Sequence, residues 1–179
     1  MYNNVYQCIH NTMSMDIFEG HFAGYPSQEK VARILVEQGI RVEGGCAYSG
    51  NIKQSDSAIG RACGVDRRVV RATLERISST PYLDSVFTKL KSTLSMVDLA
   101  PEIGCSSIVI TPTDSTMPGI LAEITEVLFN ARISVRQAMV DDTGDKDAAV
   151  LVVVVYGKIP SEILPELRNC RGVSSILIK

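Results

Sequence analysis

Apolar positions recur at two different periods along this 179-residue chain, and the change of period divides it. In the first part they fall three and four apart, the spacing of one helix face. After Pro26-Ser27, Val31, Ile34 and Leu35 form such a stripe, with Ser27 as the expected cap, Glu29 near the positive helix end and Gly39 as the stop. Gly44-Gly45 then separates Ile40-Arg41-Val42 from Cys46-Ala47-Tyr48, which predicts a small hairpin. Residues 55–77 read as two short helices joined by a tight turn. Ile59 and Cys63 give the first an apolar face, Gly64 suits the left-handed residue that ends it, and Asp66 can cap the second. Val70, Leu74 and Ile77 share one face of that second helix. Ser78-Ser79-Thr80-Pro81 breaks it. Leu83, Val86, Phe87, Leu90 and Leu94 then predict an amphipathic connector, either core or a dimer seam.

From Ser106 the rhythm changes. Strands are expected at 107–111, 133–140, 148–156 and 173–178, and helices at 120–130 and 161–170. Leu121, Ile124 and Leu128 should face inward, 142–145 should form a polar turn, and Pro165 falls in a first helical turn, where a missing amide matters least. The order βαββαβ is the ferredoxin-like motif. The expected class is therefore α+β: a mainly helical, winged-helix-like helix-turn-helix domain followed by a ferredoxin-like domain. Residues 1–26 lack a clean period and read as an N-terminal arm, packed on the first domain or partly disordered. Residues 27–104 make the first domain, with its connector, and 105–179 the second. In the third strand Val150, Val152 and Val154 alternate with Leu151, Val153 and Val155, so both faces are apolar. Helices cover only one face. The other calls for a second sheet, the first domain or a second copy, and self-association is the expectation.

Composition changes this picture little. With 45% apolar and 21% charged residues the chain is an ordinary globular one. The net charge of −2 argues against a nucleic-acid partner until it is divided. Residues 27–78 carry nine Lys/Arg against six Asp/Glu, and residues 107–179 seven against nine. A locally basic first half beside an acidic second half fits a nucleic-acid reader joined to something else. Five scattered cysteines (Cys8, Cys46, Cys63, Cys105 and Cys170) show no metal spacing and fit reduced thiols. No basic start precedes an apolar block, and VLVVVVY is too short to span a bilayer, so a soluble, cytoplasmic protein without membrane contact is expected.

Candidate chemistry gathers on the second short helix. Arg67, Arg68 and Arg71 cluster near its start, away from its apolar face. A reader of double-stranded DNA needs this arrangement, an anchored back and an N-terminal turn free to enter the major groove. Arginine's planar fork grips phosphate or guanine edges with two hydrogen bonds. Lys53 and Gln54 lie at the approach to this unit and are candidates for phosphate contact. Cys8 and His10 lack an orienting third group, and no nucleophile–base pair, phosphate loop, metal cluster or supported carboxylate pair stands elsewhere. The sequence points away from an enzyme, and implies neither metal nor cofactor.

Asp114, then Pro118-Gly119-Ile120-Leu121-Ala122-Glu123-Ile124 and Ile133-Ser134-Val135-Arg136-Gln137-Ala138, resemble an ACT domain over residues 107–179. Tyr25-Pro26-Ser27-Gln28-Glu29-Lys30-Val31-Ala32 and Gly64-Val65-Asp66-Arg67-Arg68-Val69-Val70 extend the resemblance to predicted archaeal regulators of amino-acid metabolism that join a helix-turn-helix to an ACT domain. The resemblance implies a transcriptional regulator, homodimeric or larger, that binds double-stranded DNA and a small effector, an amino acid by preference. The implied effector site takes in the loop with Asp114, Thr116 and Met117, the helix start at Gly119, Ile120 and Leu121, and Ser134 with Arg136 on the neighbouring strand or a partner's. Outward amides at that helix start suit a carboxylate, and Asp114 an ammonium group. Two features differ from the usual ACT pattern. Three residues, not one, separate Asp114 from Pro118, which leaves Thr116 where the acid normally stands; and Arg132-Ile133-Ser134-Val135 replaces Gly-Ile-Asn-Ile. The alternative is a metabolite sensor that controls an enzyme by protein contact, without DNA.

Overall fold

The structure, a computed structural model, describes Phe18, residues 20–141 and residues 149–179. The Cys8–His10 pair and the turn expected at 142–145 lie outside the described residues. The chain is α+β and divides into two compact units, one ending at Leu94 and the other running from Ser95 to Lys179.

In the first unit, helix α1 spans Pro26–Glu37. Tyr25, not the expected Ser27, occupies the cap position. Pro26 already stands in the first turn, where its fixed φ fits and its missing amide removes no bond, so Ser27 lies one step inside the helix. Strands β1 (Arg41–Glu43) and β2 (Cys46–Ser49) form the expected hairpin, and Gly44 and Gly45 both take positive φ, as the tightest hairpin turn demands. A two-residue strand β3 (Ile52–Lys53) adds to β2 and makes a three-stranded sheet. Two residues are too few to show an alternating pattern, so the sequence did not predict it. Helices α2 (Asp56–Cys63), α3 (Arg67–Ser79) and α4 (Pro81–Phe87) follow.

Val31, Leu35, Val42, Val70, Leu74, Ile77, Leu83 and Phe87 form one buried core. Phe18 and Phe22, from the expected arm, are buried in it too. The connector helix stops at Phe87. Leu83 and Phe87 belong to the core, Leu90 packs partly against it, and Leu94 is 64% exposed. That stripe is core at its start and open at its end.

The second unit carries β4 (Cys105–Pro112), α5 (Ile120–Asn130), β5 (Val135–Asp141), β6 (Val150–Tyr156), α6 (Leu164–Asn169) and β7 (Val173–Ile178). The helix expected at 161–170 is split, with a 3-10 turn at Ser161–Ile163 before α6. All neighbouring strands are antiparallel, in the order β5-β6-β4-β7. Ile124 and Leu128 of α5 and Leu167 of α6 share one core with Leu151, Val153 and Val155, so both helices cover the same face of the sheet.

Residues 95–104, expected in the first domain, belong here. Ala100 is buried, and Met96 and Val97 partly so, against Cys105, Val152 and Val154 on the other face. The Ser107 hydroxyl donates to the Val97 carbonyl (3.0 Å), and the Met96 amide donates to Gln137 Oε1 (2.9 Å). The chain therefore covers much of its own second face, an occupant that strand alternation alone does not reveal. Leu177, paired with Val109 across β7 and β4 on that face, remains 56% exposed.

Candidate functional site

The α2–turn–α3 unit is built by local chemistry. Ser55 Oγ accepts from the Ala58 amide (3.1 Å) and starts α2. Gly64, at φ 65°, ends it. The Gly64 amide bonds back to the Arg61 carbonyl and the Val65 amide to the Gly60 carbonyl, the bond pair of a Schellman turn. Asp66 Oδ1 accepts from the Arg68 amide (2.8 Å) and opens α3. Ile59, Cys63, Val70 and Leu74 are buried, and burial pushes the Cys63 thiol above its ordinary value.

Arg67, Arg68 and Arg71 are brought together on the outer side of α3, around a hollow of ≈ 360 Å³ shared with Asp56, Ala72 and Glu75. Their surroundings differ. Arg71 Nη2 lies 2.7 Å from Asp56 Oδ2, and its Nη1 donates to the Gly45 carbonyl (3.2 Å). The Gly45 amide in turn donates to Ser78 Oγ (2.9 Å). Arg71 thus ties α3 to α2 and to the β1–β2 turn. Lys53 is exposed on β3, and the Cys46 side chain, with Tyr48 nearby, holds its pKa above the usual lysine value. Gln54 is bound into the sheet, its amide donating to Ala47 O and its side chain to Ile52 O.

The corner at Gly119 is open. Gly119 sits at φ 98° as the cap of α5, and a Cβ built there meets nothing within 4 Å. No side chain caps α5, so its first amides, which have no partner inside the helix, face outward. A cavity of ≈ 170 Å³ adjoins them, lined by Ser115, Met117, Gly119, Ile120 and Leu121 on one side and Val140, Val150 and Leu151 on the other. Asp114 Oδ1 accepts from both the amide (2.9 Å) and the hydroxyl (2.7 Å) of Thr116, so these two residues brace the loop, and Ser115 is the one that lines the cavity.

Ser134 and Arg136 lie elsewhere. The Ser134 carbonyl accepts from the Tyr156 amide, and Arg136 falls at an irregularity in the β5–β6 register. Its guanidinium lies 5.5 Å from the Tyr156 ring centre and donates to Cys105 Sγ (3.6 Å). Cys105 begins β4, whereas Gly119 follows its end, and seven steps at about 3.3 Å put roughly 23 Å between the two ends. Ser134 and Arg136 therefore cannot complete the Gly119 corner within one copy. Among the described residues no group of three or more His, Cys, Asp or Glu is placed to hold a metal ion. Likewise, no helix among them is long and apolar enough to cross a membrane.

Sequence reasoning missed Asp56, Ser78 and Gly60. A Cβ on Gly60 would stand 2.8 Å from the Val65 carbonyl oxygen, so a buried glycine lets the turn close on α2. The visible signal was a glycine in the middle of a short helix, where propensity disfavours it.

No protein-family model matches the chain, and no curated protein matches it. Among solved structures it is similar to PH0061, at 10% identity over 85% of this chain and 88% of that one, with a TM-score of 0.28. It is also similar to E. coli AsnC, at 10% identity over 86% and 89%, with a TM-score of 0.25. Superpositions this loose carry no argument, and the functional reading rests on the residues.

Proposed function

We propose that the protein is a cytoplasmic, non-enzymatic regulator of transcription in amino-acid metabolism. In this reading the α2–turn–α3 unit is a winged-helix-like helix-turn-helix, and the second unit is a ferredoxin-like ACT domain. The observation that carries it is the outward presentation of Arg67 and Arg68 on the first turn of a helix whose opposite face, Val70, Leu74 and Ile77, is fully buried. Support for the second half comes from the strand order β5-β6-β4-β7 with both helices on one face, and from the open corner at Gly119. The corner's volume is below the ~300 Å³ usual for small-molecule sites, which favours a ligand held jointly with a second copy. Ser134 and Arg136, remote within one chain, become available in such an assembly. The exposed Leu177 beside Val109 offers an apolar contact for it.

An effector can act only by as much as it binds one arrangement of the two reading helices better than another. Gel shift against duplex DNA tests the first half: Arg68→Ala should abolish specific binding, and unchanged affinity would remove α3 from the interface. Thermal shift against the twenty amino acids tests the second, because a ligand that binds only the native state raises its melting point. Replacing Gly119 by Leu should erase that shift; a retained shift moves the site elsewhere. Absence of duplex binding together with a positive thermal shift would favour the enzyme-controlling sensor.

A further inference from the structure

The small sheet has two unlike faces. Val42 and Ala47, paired across β1 and β2, are buried in the core of the first unit. On the other face Arg41 pairs with Tyr48, and Tyr48 with Lys53, in one row across all three strands. Two cations thus flank an aromatic ring. Strands stand about 4.8 Å apart, so the outer two backbones of the row are separated by about 10 Å. The Arg41 guanidinium lies 5.0 Å from the Tyr48 ring centre, which holds it against the sheet, and its ion pair with Glu43 is loose at 3.4 Å. Lys53 is exposed.

This face is fixed beside α3. The Gly45 carbonyl takes a bond from Arg71, and the Gly45 amide gives one to Ser78, so the β1–β2 turn is pinned along the helix at two points. Lys53 lies near enough to Arg71 for that guanidinium to act, weakly, against its protonation. Arg41, Lys53 and Arg71 therefore continue the basic surface that begins at Arg67 and Arg68. Across it, Glu43 and Asp56 each engage an arginine already named.

We infer that the Arg41–Tyr48–Lys53 row is a second nucleic-acid contact, which grips the phosphodiester backbone of duplex DNA beside the segment entered by α3. The occupant follows from the chemistry: two cations carried on strands whose backbones lie about 10 Å apart, beside the arginines of α3, fit a polyanion with repeated charges better than a single small anion. Arg41 and Lys53 supply charge, and Tyr48 positions Arg41. The row carries no base-reading geometry, so its contribution is to affinity and register, equally for all sequences.

The inference rests on the DNA-binding reading, and the experiment separates the two. Binding of the full chain to a labelled random-sequence duplex is followed by fluorescence anisotropy over a salt series. Arg41→Ala/Lys53→Ala should weaken binding by about tenfold at moderate salt and lower the salt slope by about 1.8, which is about 0.9 for each lost phosphate contact. Lys53→Glu, on an exposed strand with no core contact, should weaken binding without touching the fold. Tyr48→Phe, which keeps the ring, should bind as the unaltered chain does. If Arg41→Ala/Lys53→Ala and Lys53→Glu both leave affinity and slope unchanged while Arg68→Ala loses binding, the row is not a contact and the reading helix stands. If the unaltered chain binds no duplex at low salt, the DNA-binding reading fails and this inference with it.

Discussion

Arg71 and Asp56 form an ion pair 2.7 Å long between two helices that the chain itself separates by a tight turn. Asp56 is the first residue of α2, and Arg71 lies in the second turn of α3. Because the same guanidinium also donates to Gly45, one side chain joins three elements. Arg71 is half exposed, so the ion pair itself contributes little, on the order of 0–1 kcal/mol. The bond to Gly45 adds about 1 kcal/mol. Arg71→Ala should therefore lower stability by roughly 1 kcal/mol in urea denaturation, whereas Arg67→Ala and Arg68→Ala should stay within about 0.5 kcal/mol. Equal midpoints for all three variants would show that Arg71 is not a structural tie.

Gly60 reverses an ordinary expectation. Glycine to alanine inside a helix normally stabilises by about 0.5–1 kcal/mol. Here the new methyl would meet the Val65 carbonyl oxygen at 2.8 Å, on the residue whose amide makes the Schellman bond to the Gly60 carbonyl that ends α2. Gly60→Ala should thus destabilise, by about 1–3 kcal/mol, as overpacked sites do. A stabilised variant would mean that the turn can open without loss.

The buried thiols give a pH signature. Burial raises the pKa of Cys63, and burial with the nearby Glu123, Glu126 and Glu166 charges raises that of Cys170. A raised value means that the folded chain holds the thiol proton more tightly than the unfolded chain does. The resulting stability is present in full below the ordinary thiol value, about 8.5, and is lost as pH climbs through the raised one. Stability should therefore fall more steeply above that point than in Cys63→Ala/Cys170→Ala. Iodoacetamide at mildly alkaline pH should label the half-buried Cys46 before either of them. Faster labelling of Cys63 would contradict its place in the core.

The parts legible in advance were those decided by near neighbours in sequence. Ser55, Gly64 and Asp66 act on amides within a few residues of themselves, and the bounds of α2 and α3 followed from them. The order of elements in the second unit also followed, since the short, unbroken apolar run of β6 and the helical spacing in α5 are strong local patterns. What escaped was long-range. The partners of Arg71 lie 15 and 26 positions away, and nothing local marks Asp56 or Gly45 as its ligands. The cover over Val152 and Val154 comes from Met96, Val97 and Ala100, more than fifty residues earlier, in a stretch without periodicity. Whether Ser134 and Arg136 meet Gly119 from the neighbouring strand or from a partner's depends on the end of the sheet on which they fall, and that is set by register, which spacing alone did not give.

The turn that follows α5 carries a backbone cost of its own. Helix α5 ends at Asn130, and Arg132 follows at φ 58°, the one non-glycine residue with positive φ among those described. The Arg132 amide bonds to the Phe129 carbonyl (2.9 Å) and the Ile133 amide to the Leu128 carbonyl (2.9 Å), so a complete Schellman turn is built on an arginine. A left-handed residue with a Cβ costs about 1 kcal/mol relative to glycine, the residue that usually stands at this point. The gain on replacement is reduced because glycine has more freedom to lose from the unfolded chain. Arg132→Gly should still stabilise, by up to about 1 kcal/mol, and Arg132→Ala should not, since alanine keeps the Cβ and gives up only the exposed side chain. The pair of variants isolates backbone strain from any role of the guanidinium. Equal effects of glycine and alanine in urea denaturation would place the benefit, or the loss, in the arginine side chain.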